Sequence, residues 1–571
     1  MAFLIFVLAV VWFFLMYRIY GGFLSRRVFK LDDSRQTPAH TFRDDRDYVP
    51  SNRWVVWGHN FTSIAGLGPI VGPAIGVIWG WVPALLWITL GTVFFGGVHD
   101  FSSLVLSIRN KGLSIGEITT RVIGKRAKFL FMAIIFLEVW VVIAIFAMIM
   151  GILFKMYPSS VFPVWMEIPI ALTLSYMVFK KGKSLELWSW IALLAMYATV
   201  ALGVLIPLSI PGGNAVVIWI VILMVYAYVA SILPVETLLQ PRDYINSHEL
   251  MVAGLLIFAG AVAAFIRDPG HLGFVAPAFN LSARGAPPVW PFLFVTIACG
   301  AISGFHSLVT SGTASKQINK ESDARLVGYG GMIAEGILAA LVLLAVGAGF
   351  GAIGKGLEAG MAAWSQHYSD WSSASGMAAN LKAFVTGASN MMGYIFGNGR
   401  YVRELMMTIM GVFIVSFAGT TIDTAARIQR YIVQEFGRSA GLNFITGKHI
   451  ATLIAVGSAF GLAMVKPGGQ GALILWPLFG TINQLLAGLA LVVVTLYLTF
   501  KKSKPLVAAI PTLFLVVMTS WAMVKNIQDY ARTHNWLLFS VGWIVFALMV
   551  WLVIEAIIAL IKGFKTKPHL D

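Results

Sequence analysis

The chain is nearly devoid of cysteine: Cys299 is the only one in 571 residues. No intrachain disulfide can form, and a single thiol in an apolar segment is most simply a small core residue. Charge is scarce as well. Asp, Glu, Lys and Arg make up 12% of the chain against 58% apolar residues, and 25 acidic residues face 41 basic ones. A soluble chain carries about twice that charged fraction. The composition excludes an ordinary soluble domain and leaves an all-α polytopic membrane protein, with the lipid bilayer as its first partner. Soluble-enzyme signatures are missing too: no HExxH, no Walker A sequence, no GxSxG beside a partner set. The expectation is therefore a non-enzyme without cofactor. His59, His99 and His306 have no spacing that specifies a metal site, and none is expected.

What is present is fifteen apolar runs of spanning length, from 1–20 to 537–561. The first 17 residues lack a basic start and a small-residue cleavage site, so they read as a retained helix. With the N-terminus outside and strict alternation, the inner loops hold 31 of the 41 basic residues. That asymmetry predicts an external N-terminus and a cytoplasmic C-terminus. It also makes the net charge of +16 a topological signal, with no nucleic-acid partner implied. Two long loops stand out. Residues 21–53 are inside and carry both charges. Residues 355–400 are outside and rich in Gly, Ala, Ser and Trp. They form either a lid of short helices or, as expected here, a surface loop.

Residues 58–76, GHNFTSIAGLGPIVGPAIG, interrupt one of these spans. Five glycines and two prolines weaken a helix here, and freed backbone groups at this depth cannot face lipid. One reading is a kink for packing. The favoured one is a site, because transporters hold small ions and substrates at half-helix ends near the bilayer midplane. Gly58, His59, Asn60, Gly66 and Gly68 are its candidates.

Other polar groups lie at membrane depth. In TIACGAISGFHSLVTSGTASK, from Thr296, Ser303, Ser307 and Ser311 share a helix face with His306 and Thr310 beside it. Such hydroxyls either bond back to their own helix or ligate a small cation; both readings stay open. In AYVASILPVETLLQPRDY, Ser231 and Glu236 flank Pro234. An intramembrane carboxylate is a functional candidate by default, the alternative being an ion pair with Arg242. His99, Asp100, Glu138 and Glu335 are further intramembrane groups. Asp423 and Arg427 are four apart and can pair on one helix face, as a gate or a structural clamp. LWPLFGTINQLLAG, from Leu475, reads as a packing kink or a supporting wall.

Five segments carry a resemblance: YVPSNRWVVWGHNFTSIAGLGPIVGPAIG, FFGGVHDFSSL, LLQPRDYINS, TIACGAISGFHSLVTSGTASKQI and LWPLFGTINQLLAGLAL. They resemble the signatures of the carbon starvation protein A (CstA) family, over about residues 15–500. The chain is similar to the shorter branch, in which GTTIDTAARIQRYIVQE replaces an acidic segment. The resemblance implies a bacterial or archaeal inner-membrane carrier that imports peptides or pyruvate when carbon is scarce, pyruvate by proton symport. It also implies the LeuT-type inverted repeat of five plus five helices. On that fold, residues 1–53 precede the first repeat (54–210), the second repeat spans 211–430, and 431–571 are accessory. The broken first helices would be 54–80 and 214–239, and 288–315 would offer its hydroxyls to the Gly66–Gly68 backbone. The expected substrate ligands are Gly58, His59, Asn60, Gly66, Gly68, Ser231, Glu236, Ser303 and His306. The expected ion-coupling groups are Glu236, His306, Ser307, Thr310 and Ser311. The ion is H⁺, with Na⁺ as the rival, and a sodium-coupled amino-acid or carboxylate carrier is the alternative function. A membrane sensor or channel subunit is the reading from another class. A sensor would need a larger soluble domain than loops of this length provide.

Overall fold

Backbone amides and carbonyls at membrane depth must bond internally, so long apolar runs fold as helices. The computed structural model describes residues 1–267, 272–351, 356–397 and 399–565. Its principal helices are α1 (Ala2–Val28), α2 (Arg53–Ala65), α3 (Gly68–Trp79), α4 (Trp81–Arg109), α5 (Lys125–Met156), α6 (Pro158–Lys180), α7 (Leu185–Leu205), α8 (Ala215–Ile232) and α9 (Leu239–Arg267). After these come α10 (Val289–Thr296) and α11 (Gly304–Gly312), then α12 (Glu321–Gly351). The chain continues through α13 (Met377–Phe396) to α14 (Arg400–Ala440), α15 (Lys448–Met464), α16 (Trp476–Phe500), α17 (Leu506–Arg532) and α18 (Trp536–Lys562). No strand forms among the described residues; one parallel bridge joins Ser51 and Ile318. Lys355 and Lys567, counted in the basic-residue asymmetry, lie outside the described residues.

Among the described residues, twelve helices are long and apolar enough to cross a membrane, or up to 14 if each of two bent pairs is one span. The count of fifteen differs because 288–315 is not one helix. It is two pieces of eight and nine residues with a non-helical stretch between them. A second correction concerns 214–239. This segment is not broken at mid-span. α8 is continuous to Ile232, and Pro234 lies in the turn that leads to α9. Proline is tolerated there because a turn needs no helical amide.

The expected surface loop at 355–400 is folded. Helices Gly356–His367 and Trp371–Ala374 precede α13, and α13 packs along α9 and α14. The Tyr368 hydroxyl donates to the Ala74 carbonyl at 2.7 Å, which ties this cap to α3. Short helices stand where a surface loop was expected. The middle of the bundle is α5, α12, α14 and α16, whereas α1, α17 and α18 present much of their apolar surface outward, as lipid-facing helices do.

Candidate functional site

The first break follows from sequence. α2 starts on an Asn52 cap, whose side chain accepts from the Trp54 amide. It ends at Gly66, and α3 resumes with Pro69 at its start, bent by 44°. Residues 58–65 are all buried, so the interrupted backbone lies in protein, as it must.

The second break is Ile297–Ser303, with Gly300 at φ +93, a conformation that only glycine enters without steric cost. Neighbouring side chains satisfy its loose backbone. Glu335 Oε1 accepts from the Gly300 amide at 3.0 Å. Thr92 donates to the Gly300 carbonyl and Trp87 to the Ile297 carbonyl. Asn483 Oδ1 accepts from Ser303 Oγ and from the Phe305 amide at 3.0 and 3.1 Å. Gln484 donates to the Phe294 and Ile302 carbonyls. Asn483 and Gln484, on α16, are thus a supporting wall for this break.

The two breaks face each other. A methyl group built on Gly68 would overlap the Cys299 side chain, and one on Gly72 would lie 2.8 Å from the Thr296 carbonyl oxygen. Beside this crossing opens a cavity of about 640 Å³, reaching Gly68, Gly72, Cys299 and Asn483 at its inner end. Trp371 stands in its wall, and Lys525, Asp529 and Arg532 of α17 add their charges. A small pocket of about 30 Å³ shares Gly68, Val71, Cys299, Trp476 and Phe479 with it and continues to Gly66, Phe305 and Thr421. The break expected at Ser231–Glu236 does not take part.

Behind the second break lies a cluster that the sequence did not join. His306 on α11 is within 3.0 Å of Asp100 on α4 through Nδ1 and 3.3 Å of Glu335 on α12 through Nε2. His99 Nδ1 holds the other Asp100 oxygen at 2.8 Å. All four side chains are fully buried. Glu335 also binds the Gly300 amide, so one carboxylate touches both the histidine and the break.

A second cluster surrounds Arg242. It donates to Glu167 at 2.8 Å and pairs with Asp423, and Tyr226 donates to Asp423 at 2.7 Å. His59, expected as a substrate ligand, pairs through Nδ1 with Asp243 on α9. Asn60 donates to the Val327 carbonyl, and Ser231 is buried with its hydroxyl unbonded.

Several expectations need correction. Asp423 and Arg427 do not pair with each other. Asp423 meets Arg242, while Arg427 bonds Asp47 at 2.8 Å and the Ala230 and Leu233 carbonyls. The bundle supplies each with a better partner from another element. Glu236 does not meet Arg242 either; it is half-buried on the turn, near Asp45 and Arg43. Ser307, Thr310 and Ser311 donate back to Gly304, His306 and Ser307 of their own helix. The hydroxyls at the first break come from α14 instead. Thr420 and Thr421 donate to the Thr62 and Ser63 carbonyls, Ser63 bonds Thr424 at 2.9 Å, and Thr421 lies against Gly66. No group of three or more His, Cys, Asp or Glu placed to hold a metal occurs among the described residues. Asp100 and Glu335 were visible as intramembrane groups but their partners were not; Glu167 and Asp243 were not singled out, because only packing shows them paired with Arg242 and His59.

An all-helical, many-spanning bundle with a cavity at two facing helix breaks defines a membrane transporter. The solved structures agree on the fold. A manganese transporter of Eremococcus coleocola, in mutant form, superposes with a TM-score of 0.54 at 11% identity, over 91% of this chain and 99% of that one. The chain belongs to the carbon starvation protein CstA family, whose sequence profile matches residues 1–522. The peptide transporter CstA of Bacillus subtilis (strain 168) is 33% identical over 546 residues, 90% of this chain and 88% of that one. The pyruvate/proton symporter BtsT of Escherichia coli (strain K12) is 30% identical over 572 residues, 89% and 79% of the two chains.

Proposed function

We propose that this transporter is a proton symporter of the bacterial or archaeal inner membrane. It imports small carboxylate-bearing nutrients, peptides or pyruvate, during carbon starvation by alternating access. The observation that carries the coupling is the double engagement of Glu335, which faces His306 at 3.3 Å and accepts from the Gly300 amide at 3.0 Å. A proton gained or lost by the buried Asp100–His306–Glu335 cluster changes what Glu335 accepts, and so changes the backbone that lines the cavity. Histidine is suited to such a switch because its charge changes in the physiological range. The relatives named for peptide transport and for pyruvate/proton symport support the same substrates and ion.

The substrate carboxylate belongs at Gly68, the start of α3, where the positive end of the helix dipole favours an anion. Lys525 and Arg532 against a single Asp529 give the cavity wall an excess of positive charge. Gly58, His59, Asn60, Ser231 and Glu236 are then second to Gly66, Gly68 and Ser303 as ligands, and among the coupling candidates His306 leads. The open cavity is bounded by residues of 285–288, 371–375 and 525–532, all on the face that the basic-residue asymmetry assigns to the outside.

Helix packing supports a revised repeat. The first unit is α2/α3, α4, α5, α8 and α9; the second is α10/α11, α12, α14, α15 and α16. α9 lies on α2 as α16 lies on α11, and α8 lies on α5 as α15 lies on α14. α6 and α7 are then an inserted hairpin, and α1, α17 and α18 are accessory.

In proteoliposomes, a pH gradient without sodium should drive saturable accumulation, and a protonophore should collapse it. His306→Gln and Glu335→Gln should abolish accumulation while leaving counterflow exchange of substrate. The Thr420, Thr421 and Thr424 row beside Gly66 favours the sodium reading. Accumulation that follows an imposed sodium gradient at clamped pH and potential would move the coupling role there. Flux that neither saturates nor couples to a gradient would return the chain to the channel class.

A further inference from the structure

On the face that carries the basic loops lies a cavity of about 600 Å³, between the ends of α1, α4 and α16 and remote from both helix breaks. We propose that it binds a phosphate-bearing anion, foremost the headgroup of an anionic phospholipid. Six cationic side chains line it: Lys30, Arg35, Arg109, Lys111, Lys501 and Lys502. The one carboxylate among its described lining residues is Glu321, which is buried and already engaged. Glu321 accepts from Arg109 Nε at 2.6 Å and from the Asp32 amide at 2.7 Å, with Arg35 at 3.7 Å. No carboxylate pairs with Lys30, Lys111 or Lys502 among the described residues. The charge of these three lysines is therefore not offset by a carboxylate among the described residues.

The backbone adds an independent indication. Lys30, Lys111 and Lys502 have φ of 48, 63 and 52. They are three of only five non-glycine residues with positive φ among the described residues. Each stands just past the end of its helix, where glycine fits the left-handed conformation without steric cost. A lysine held there three times around one cavity points to a use for the side chain, since strained backbone collects at ligand clamps. The chemistry suits a headgroup. Phe29, Ile108 and Leu498 give the cavity an apolar wall, and α1 beside it presents much of its apolar surface outward. Basic pockets between spanning helices on the cytoplasmic side are suited to anionic headgroups.

The test uses the full chain in nanodiscs, with lipid binding read by native mass spectrometry. The probes are phosphatidylglycerol, phosphatidylcholine and inorganic phosphate. The wild type should retain phosphatidylglycerol in preference to phosphatidylcholine. Each lysine near a membrane surface is worth about fivefold in affinity for an anionic lipid. The triple variant Lys30→Gln/Lys111→Gln/Lys502→Gln should therefore bind it roughly 100-fold more weakly. A triple glycine variant separates the roles: it suits the backbone better, so it should lose the lipid and keep its thermal stability. Displacement of the lipid by millimolar inorganic phosphate would assign the same site to a soluble phosphate. No preference for phosphatidylglycerol in the wild type, or an undiminished one in both triple variants, would overturn the proposal.

Discussion

Gly68→Ala is the most direct perturbation of the crossing between the two breaks. The added methyl would overlap the Cys299 Cβ and come within 2.5 Å of its sulfur. Ordinary carbon–carbon contact is about 3.5–4.0 Å, so α3 and the 297–303 segment must part by more than 1 Å, roughly, to admit it. The obstacle is a Cβ fixed to the backbone, and no rotamer change removes it. Overpacking of this kind costs about 1–3 kcal/mol. That corresponds to a roughly five- to 150-fold loss of the conformer in which the breaks touch. Initial uptake rates in proteoliposomes should fall within that range, with insertion and expression unchanged. Cys299→Gly removes both the Cβ and the sulfur, so Gly68→Ala/Cys299→Gly should recover most of the rate. Cys299→Ala leaves the Cβ and should not rescue. Gly72→Ala crowds the Thr296 carbonyl at 2.8 Å, which no side-chain trimming relieves, so Cys299→Gly should not rescue it. Normal uptake by Gly68→Ala, or equal rescue by the alanine and glycine variants at 299, would refute the facing-break geometry.

Further outcomes follow from the same contacts. Cys299 is the only cysteine and borders the large cavity; a membrane-impermeant maleimide should label it from outside, and saturating substrate should slow the labelling. Arg242→Met leaves Glu167 and Asp423 buried without their shared cation. It should cost about 3–5 kcal/mol, read as a loss of thermal stability that Glu167→Gln/Asp423→Asn partly restores. Asn483→Ala orphans Ser303 Oγ and the Phe305 amide. At about 1–3 kcal/mol for each buried unsatisfied group, uptake should fall and Cys299 labelling should quicken. A reporter active only in the cytoplasm, fused after residue 571, should give signal; a silent fusion of an inserted protein contradicts the orientation.

The sequence by itself determined the class of this protein and much of its frame. Scarce charge and long apolar runs define a membrane bundle. The Gly/Pro-rich stretch 58–76 marked the first break, because glycine and proline act locally on helix propensity. The family signatures were legible as continuous strings. The second break was hidden, since 288–315 is as apolar as a whole helix. Its interruption is held open by Thr92, Trp87, Glu335, Asn483 and Gln484 from three other helices. Pro234, conversely, carries a breaker signal but lies in a turn. Intramembrane Asp100, His306 and Glu335 were each visible, yet more than 200 residues separate the first from the third, and only packing brings them into one cluster. Asp423 and Arg427 teach the same lesson. Helical spacing allows a pair four residues apart, but in a low-dielectric interior each charge goes where geometry and hydrogen bonds best offset its desolvation. Those partners, Arg242 and Asp47, belong to other segments, so only the tertiary structure decides them.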